Sequence, residues 1–229
     1  MKKNVKEKNI LYLHFTMEDN LSLTEKIRQR YASLYSGVFY QRYIQGLWVV
    51  AEGIIYDMFS EAKHIVSNIT ISPAAKYYVS CDYGTQNATV FLLWQSGLNG
   101  KWYCIDEYYY SGRDESTQKT DNAYADDYET FIGDKKIEAI IVDPAAASFI
   151  AELRKRGHKV IKARNDVLDG IRFVGMLLNL GTIHFHSKCK NTIKEFNSYV
   201  WDTKASEKGG EDKPLKQHDH AMDAVRYLC

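Results

Sequence analysis

"KYYVSCDYG" (residues 76–84) is an apolar, aromatic and β-branched run that stops on an aspartate and gives way at once to a glycine. This is strand composition, and the exit through Asp82, Tyr83 and Gly84 puts a carboxylate on the rim of a sheet, where backbone leaves the core and a ligand can reach it. A turn aspartate looks the same in one isolated stretch, so the meaning of Asp82 depends on which other carboxylates reach that rim. "KIEAIIVDPAA" (136–146) repeats the grammar, ending its apolar run at Asp143 before Pro144, Ala145 and Ala146.

Working outward, "KYYVSCDYG", "ATVFLLWQ" and "KWYCIDEYYY" read as three successive strands, with "SGLNG" (96–100) turning between the last two. "QKTDNAYADDYETFIG" reads as a polar helix, "ASFIAELRKRG" as an amphipathic helix stopped at Gly157, and "HKVIKA" as a short strand. "NDVLDGIRFVGMLLNLG" reads as a helix capped by Asn165 or Asp166, followed by strand "TIHFH", helix "KNTIKEFNSYVWD", a loop over 203–217 and a final helix "HDHAMDAVRYLC". Three sequential strands and then alternating helix and strand predict an α/β fold, a mixed central sheet with helices on both faces. Residues 1–70 differ, being rich in tyrosine and charge, with Ile27, Tyr31, Leu34 and Tyr35 on one helix face and a second short helix over 37–45. They offer few core positions and read as a mostly helical linker that packs against something else, leaving 71–229 as the sheet domain.

Composition narrows the function classes. The chain has 229 residues, 45% hydrophobic and 26% charged, with three prolines, which suits one domain and an appendage. A net charge of +1 gives no global basic field, so nucleic-acid binding has to use local patches. Cys81, Cys104, Cys189 and Cys229 are scattered without a CxxC pair and read as reduced thiols, not a disulfide frame or zinc site. No apolar segment has transmembrane length, and "MKKNVKEKN" lacks the apolar stretch of a signal peptide. The expectation is an intracellular, unsecreted protein with no membrane partner.

Two carboxylates at neighbouring strand ends repel unless a cation lies between them, and oxygen ligands without cysteine suit Mg²⁺ or Mn²⁺. The last helix adds to the set. Asp219 and Asp223 stand four apart with His220 between, on one helical face, while Ala221, Ala224, Val225 and Leu228 can dock the helix on the sheet. A metal would compensate the paired charges; Arg226 and Lys216 are the alternatives. Three aspartates from two strand ends and a helix would suit two ions roughly 3.5–4 Å apart acting on a phosphodiester.

The ordered set "VSCDYGT", "IIVDPAA" and "DHAMDAVRY", with "HFTMEDN" and "LWVVAEGIIYDMF" upstream, resembles the ribonuclease H-like nucleases and, more narrowly, the nuclease domain of the large terminase subunit of tailed bacteriophages. That resemblance implies a metal-dependent endonuclease that cuts double-stranded viral DNA concatemers during packaging, with little sequence preference. It implies metal-binding carboxylates at Asp82, Asp143 and Asp223, with Asp82 bridging two ions of Mg²⁺ or Mn²⁺. His220 would stand beside them as a catalytic group, and Asp219 is a candidate fourth ligand. It also implies an ATPase motor domain, a small terminase subunit and a portal protein as partners, in the host cell cytoplasm. No GxxxxGK[ST] loop occurs ("GLNGKW" lacks its first glycine and its Ser/Thr), so the chain reads as the nuclease half without ATP hydrolysis.

Two basic patches are candidate DNA contacts: Arg154, Lys155, Arg156 and Lys159 in "ELRKRGHKVIKAR", and Lys208, Lys213 and Lys216 in the loop before the last helix. In the terminase family that loop's position corresponds to a hairpin beside the active site; on charge alone it reads as a solvated surface loop. Two other functions remain open at this stage. "DYGTQNAT" resembles the first phosphate motif of actin-like ATPases, although the chain is short for that family, and a non-catalytic module docking on a packaging motor would also carry such a sheet. Manganese-dependent DNA nicking separates the three.

Overall fold

Residues 88–96 show why the sheet needs cover on both sides. Val90, Leu92 and Trp94 are buried against one set of helices and Phe91 and Leu93 against another, the near-continuous apolar run of a strand enclosed on two faces. The computed structural model describes residue 11 and residues 13–69, 74–97, 100–207 and 212–229. Residues 98 and 99 of the expected turn, and Lys208 of the expected DNA contacts, lie outside the described residues.

Among the described residues the strands are β1 (Ile65–Val66), β2 (Tyr77–Asp82), β3 (Ala88–Ser96), β4 (Trp102–Ser111), β5 (Ile137–Val142), β6 (Val160–Lys162) and β7 (Ile183–His186), in the order β1-β7-β4-β3-β2-β5-β6. Strand β3 is antiparallel to both neighbours and every other pair is parallel. All strands but β3 therefore end at one rim, where β2 and β5 lie side by side.

The helices are α1 (Glu25–Leu34), α2 (Gly37–Tyr43), α3 (Glu61–His64), α4 (Asp121–Ile132), α5 (Ala147–Lys155), α6 (Val167–Asn179), α7 (Lys190–Phe196), α8 (Thr203–Glu207) and α9 (His220–Leu228). One face of the sheet packs on α4 and α5, with Tyr124, Tyr128, Phe149 and Leu153 against Val79, Cys81, Phe91 and Leu93. The other packs on α6, α7 and α9, with Val174, Phe196, Ala224 and Val225 against Val90, Leu92, Trp94 and Phe185. Of the two candidate caps for α6, Asp166 is the one used, its side chain accepting from the Asp169 N–H at 2.8 Å. No helix among the described residues is long and apolar enough to cross a membrane.

Two expectations shift. The helix read over 190–202 ends at Phe196 because the following residues pair elsewhere: Ile55 N–H donates to Tyr199 O at 2.8 Å and Trp201 N–H to Gly53 O at 3.0 Å. Packing also continues across residue 70. Ala51, Ile55 and Tyr56 are buried in the core under α7, Phe59 stacks on Phe196 with centroids 4.4 Å apart, and β1 extends the sheet beyond β7. In contrast, α1 and α2 bury no residue fully.

Candidate active site

Asp82 closes β2 at the rim, and Asp143 follows β5 on the adjacent parallel strand, where Cys81 pairs with Val142. From the opposite side α9 packs on β2 and β3 and brings its first turn to the same rim. The backbone immediately before it takes a left-handed turn at His218 (φ 52°), a conformation uncommon outside glycine.

Each predicted carboxylate meets a polar partner, and Asp219 and Asp223 share Lys216. His220 Nδ1 lies 2.9 Å from Asp82 Oδ2. Asp223 Oδ1 accepts from Arg226 Nη2 at 2.5 Å, and Lys216 Nζ stands 3.4 Å from Asp223 Oδ2 and 3.2 Å from Asp219 Oδ2. Asp143 Oδ1 accepts from the Ala145 N–H at 2.8 Å, so this aspartate does hold its own turn, while Oδ2 accepts from Tyr227 Oη–H at 2.8 Å. Lys216 and Arg226, the two cations read as alternatives to a metal, thus both face Asp223.

An open cavity of about 440 Å³ fronts these groups, walled by Asp82, Asp219, His220 and Asp223 together with Tyr109, Arg113, Asn87 and Lys216. Asp143 is not on its wall; the Tyr227 hydroxyl caps its carboxylate. Gly112 keeps the two loops of the wall together, since a Cβ there would sit 2.9 Å from Thr85 O.

The electrostatics follow from burial and crowding. Asp82 is pushed up to about 6, chiefly by burial and further by the charges of Asp223 and Asp143, against the pull of the His220 hydrogen bond. Burial works against the His220 imidazolium, but its bond to Asp82 and the charges of Asp82, Asp219 and Glu195 raise it above its ordinary value. Lys216 is likewise raised: burial opposes its charge, and Asp223 and Asp219 favour it more strongly. Glu195 is pushed up to about 7 by burial, although Tyr109 and the N–H groups of Ala221 and Met222 stabilise its charged form.

These residues fit a hard divalent cation by donor chemistry. The set is all carboxylate oxygen plus one imidazole, and Asp82 carries a charge that burial first, and its carboxylate neighbours after it, make unfavourable. Among the described residues, however, no three acidic, histidine or cysteine side chains converge as a preformed metal cluster.

The basic residues separate into two groups. Lys216 is at the site; Lys213, three residues earlier, is exposed and not on the cavity wall, its carbonyl accepting from Asp202 N–H at 2.9 Å. The other patch is not on the wall of this cavity. Helix α5 runs back from Asp143, so Arg154, Lys155 and Arg156 lie toward the far end of β5, and Lys159 precedes a β6 that first pairs at Ile140. Arg156 is moreover occupied by Asp126 (2.7 Å), Glu129 (3.1 Å) and Glu152 (3.0 Å). Sequence reading missed Tyr109, Arg113, Glu195 and Tyr227. Only Tyr227 carried a signal, standing one helical turn after Asp223.

The family described as Terminase RNAseH like domain matches residues 82–229. This chain belongs to that family. The large terminase subunit of Escherichia phage T5 is 28% identical over 235 residues, covering 96% of this chain and 51% of that protein, so the chain spans about half the length of the curated relative it matches. A solved large terminase from a thermophilic bacteriophage is 57% identical with a TM-score of 0.90, over 100% of this chain and 58% of that one. Two more distant structures share the fold: the P22 large terminase nuclease domain (16% identity, TM-score 0.62, 76% of this chain and 90% of that one) and the large terminase nuclease of phage G20c with bound magnesium (13%, 0.59, 76% and 95%). The α/β fold read from the order of elements, and the RNase H-like form of it that the motif resemblance implies, is therefore the fold of this family.

Proposed function

We propose that this chain is the nuclease part of a phage large terminase, a divalent-metal-dependent endonuclease that cuts double-stranded DNA concatemers with little sequence preference during genome packaging. The observation that carries the reading is that Asp82, His220 and Asp223 line one cavity with Asp143 on the neighbouring strand end, while burial and then the charges of Asp223 and Asp143 make Asp82 hard to ionise. A structural module has no need for so costly a cluster.

Asp82, Asp143 and Asp223 would hold the cation, with Asp219 as a further candidate; Mg²⁺ or Mn²⁺, in a pair, is the expected choice, in keeping with the magnesium of the G20c nuclease. When bound, such ions supply Lewis-acid activation of water and stabilise the leaving oxygen. His220 is fixed by Asp82 through Nδ1, which leaves Nε2 to accept or return a proton. Lys216, Lys213 and Arg113 would hold the phosphates flanking the scissile bond. Packaging in the host cytoplasm would add an ATPase motor domain, a small terminase subunit and a portal protein as partners; this chain would leave ATP hydrolysis to the motor.

Supercoiled plasmid incubated with Mn²⁺, Mg²⁺, Ca²⁺ or EDTA, beside Asp82→Ala, tests the reading. Nicking and linearisation that need Mn²⁺ or Mg²⁺ and vanish in the variant are expected. Metal-independent cutting, or wild-type rates in Asp82→Ala, would overturn it.

A further inference from the structure

Helix α9 carries Asp219, His220 and Asp223, yet its N-terminus has no cap of its own: Asp219 occupies the N-cap position and makes no side-chain capping bond. The exposed N–H groups of a helix start need acceptors, most of all when buried. Glu195 supplies them from α7. Its Oε2 accepts from the Ala221 N–H at 2.7 Å and the Met222 N–H at 3.3 Å, and its Oε1 accepts from the Tyr109 hydroxyl at 2.9 Å. The residue is 3% exposed.

Helix α7 is itself anchored in the same manner. Glu107, two residues before Tyr109 on β4 and so on the same face of that strand, accepts from the Asn191 N–H at 2.7 Å and the Thr192 N–H at 2.9 Å. One strand thus pins the start of α7 through Glu107, and α7 together with Tyr109 pins the start of α9 through Glu195. Asp219, relieved of capping, is left facing Lys216 and the cavity.

We infer that Glu195 is a positioning residue of the site: by capping α9 from a neighbouring helix it fixes the first turn that presents His220 and Asp223 and frees Asp219 for the cavity. This rests on the nuclease reading above. Residues that orient metal ligands from behind contribute about 10–100-fold in metal affinity or activity, and a carboxylate aimed at two N–H groups of the ligand-bearing turn does that work through the backbone.

The test uses the 229-residue chain with Glu195→Ala, Glu195→Gln and Tyr109→Phe. Mn²⁺ affinity is read from the paramagnetic resonance signal of free Mn²⁺, DNA affinity in Ca²⁺ from fluorescence anisotropy, and cleavage on plasmid. Glu195→Ala is expected to lose roughly 10–100-fold in Mn²⁺ affinity and cleavage rate with DNA affinity unchanged. Glu195→Gln keeps one acceptor for the helix and should recover most of both, and Tyr109→Phe should show a smaller loss of the same sign. If Glu195→Ala does not fold, the comparison of Gln and Phe variants with wild type decides. A folded Glu195→Ala with wild-type Mn²⁺ affinity, or equal losses in the Ala and Gln variants, would overturn the proposal. If the wild type neither binds Mn²⁺ nor cuts, the nuclease reading has failed, and amide exchange decides the positioning role alone. Exchange at Ala221 and Met222 must then accelerate in Glu195→Ala and stay slow in Glu195→Gln; unchanged exchange in the Ala variant would overturn it.

Discussion

Replacing Asp82 with asparagine should stabilise the protein while ending its chemistry. The carboxyl titrates at about 6 in the folded chain against an ordinary 3.8. A raised carboxylate value means the folded state holds the proton more tightly than the unfolded one, so ionisation opposes folding. The opposition is complete above about pH 6, shrinks as pH falls, and disappears below the ordinary value. Roughly two units at 1.36 kcal/mol each amount to about 3 kcal/mol against the fold at pH 7.5. Asparagine removes that term but weakens the bond to His220, a loss of about 1–2 kcal/mol. The net gain of about 1–2 kcal/mol corresponds to a rise in Tm of roughly 2–8 °C for a chain of this size. Circular dichroism melts in EDTA at pH 7.5 and 4.5 measure it. At pH 4.5 only about a third of the ionisation penalty remains, so the gain should vanish or reverse. A lower Tm for Asp82→Asn at pH 7.5, or an equal gain at both pH values, would refute the argument that burial and neighbouring charge oppose ionisation of Asp82, whatever the plasmid assay shows.

Three further outcomes follow from the same geometry. Arg226→Met leaves Asp223 buried without its 2.5 Å partner and should lower stability by about 3 kcal/mol in urea denaturation at pH 7.5, the low end for a broken buried pair because Lys216 remains. Lys216→Ala should weaken DNA binding in Ca²⁺ and reduce the slope of log Kd against log salt by about 1 if the side chain contacts a phosphate; an unchanged slope removes it from the DNA interface. Arg156→Ala should lower Tm through loss of its contacts to Asp126, Glu129 and Glu152 while leaving plasmid cleavage rates unchanged.

The sheet was readable because its central strands β2, β3 and β5 carry continuous buried runs. Runs such as Ala88–Ser96 leave little choice of element, and Asp82 and Asp143 announce the rim by ending two of them. Three-residue spacing likewise placed His220 and Asp223 together on α9. What escaped was held by contacts between segments distant in sequence. Ile65–Val66 is too short to carry a strand pattern and forms β1 only because β7 offers an edge. Residues 51–59 look like connector until Tyr56 and Phe59 meet Phe196. Arg156 reads in sequence as part of a basic patch because two of its three acidic partners, Asp126 and Glu129, lie on α4 with no periodic relation to it, only Glu152 standing at helical spacing. Glu195 sits in an ordinary amphipathic helix; nothing local distinguishes a glutamate that caps a neighbouring helix from one in solvent.

The place of α9 in chain order has a consequence for synthesis. More than half the sequence separates Asp82 from Asp223, and the helix that brings the second also covers Val90 and Leu92 at the middle of the sheet. A ribosome-bound chain that has completed β2 and β5 already contains two of the acidic groups, but its central strands still lack their lid. Truncation before residue 219 therefore removes α9 and with it the cover over Val90 and Leu92, leaving the middle of the sheet exposed, the condition in which unfinished chains aggregate.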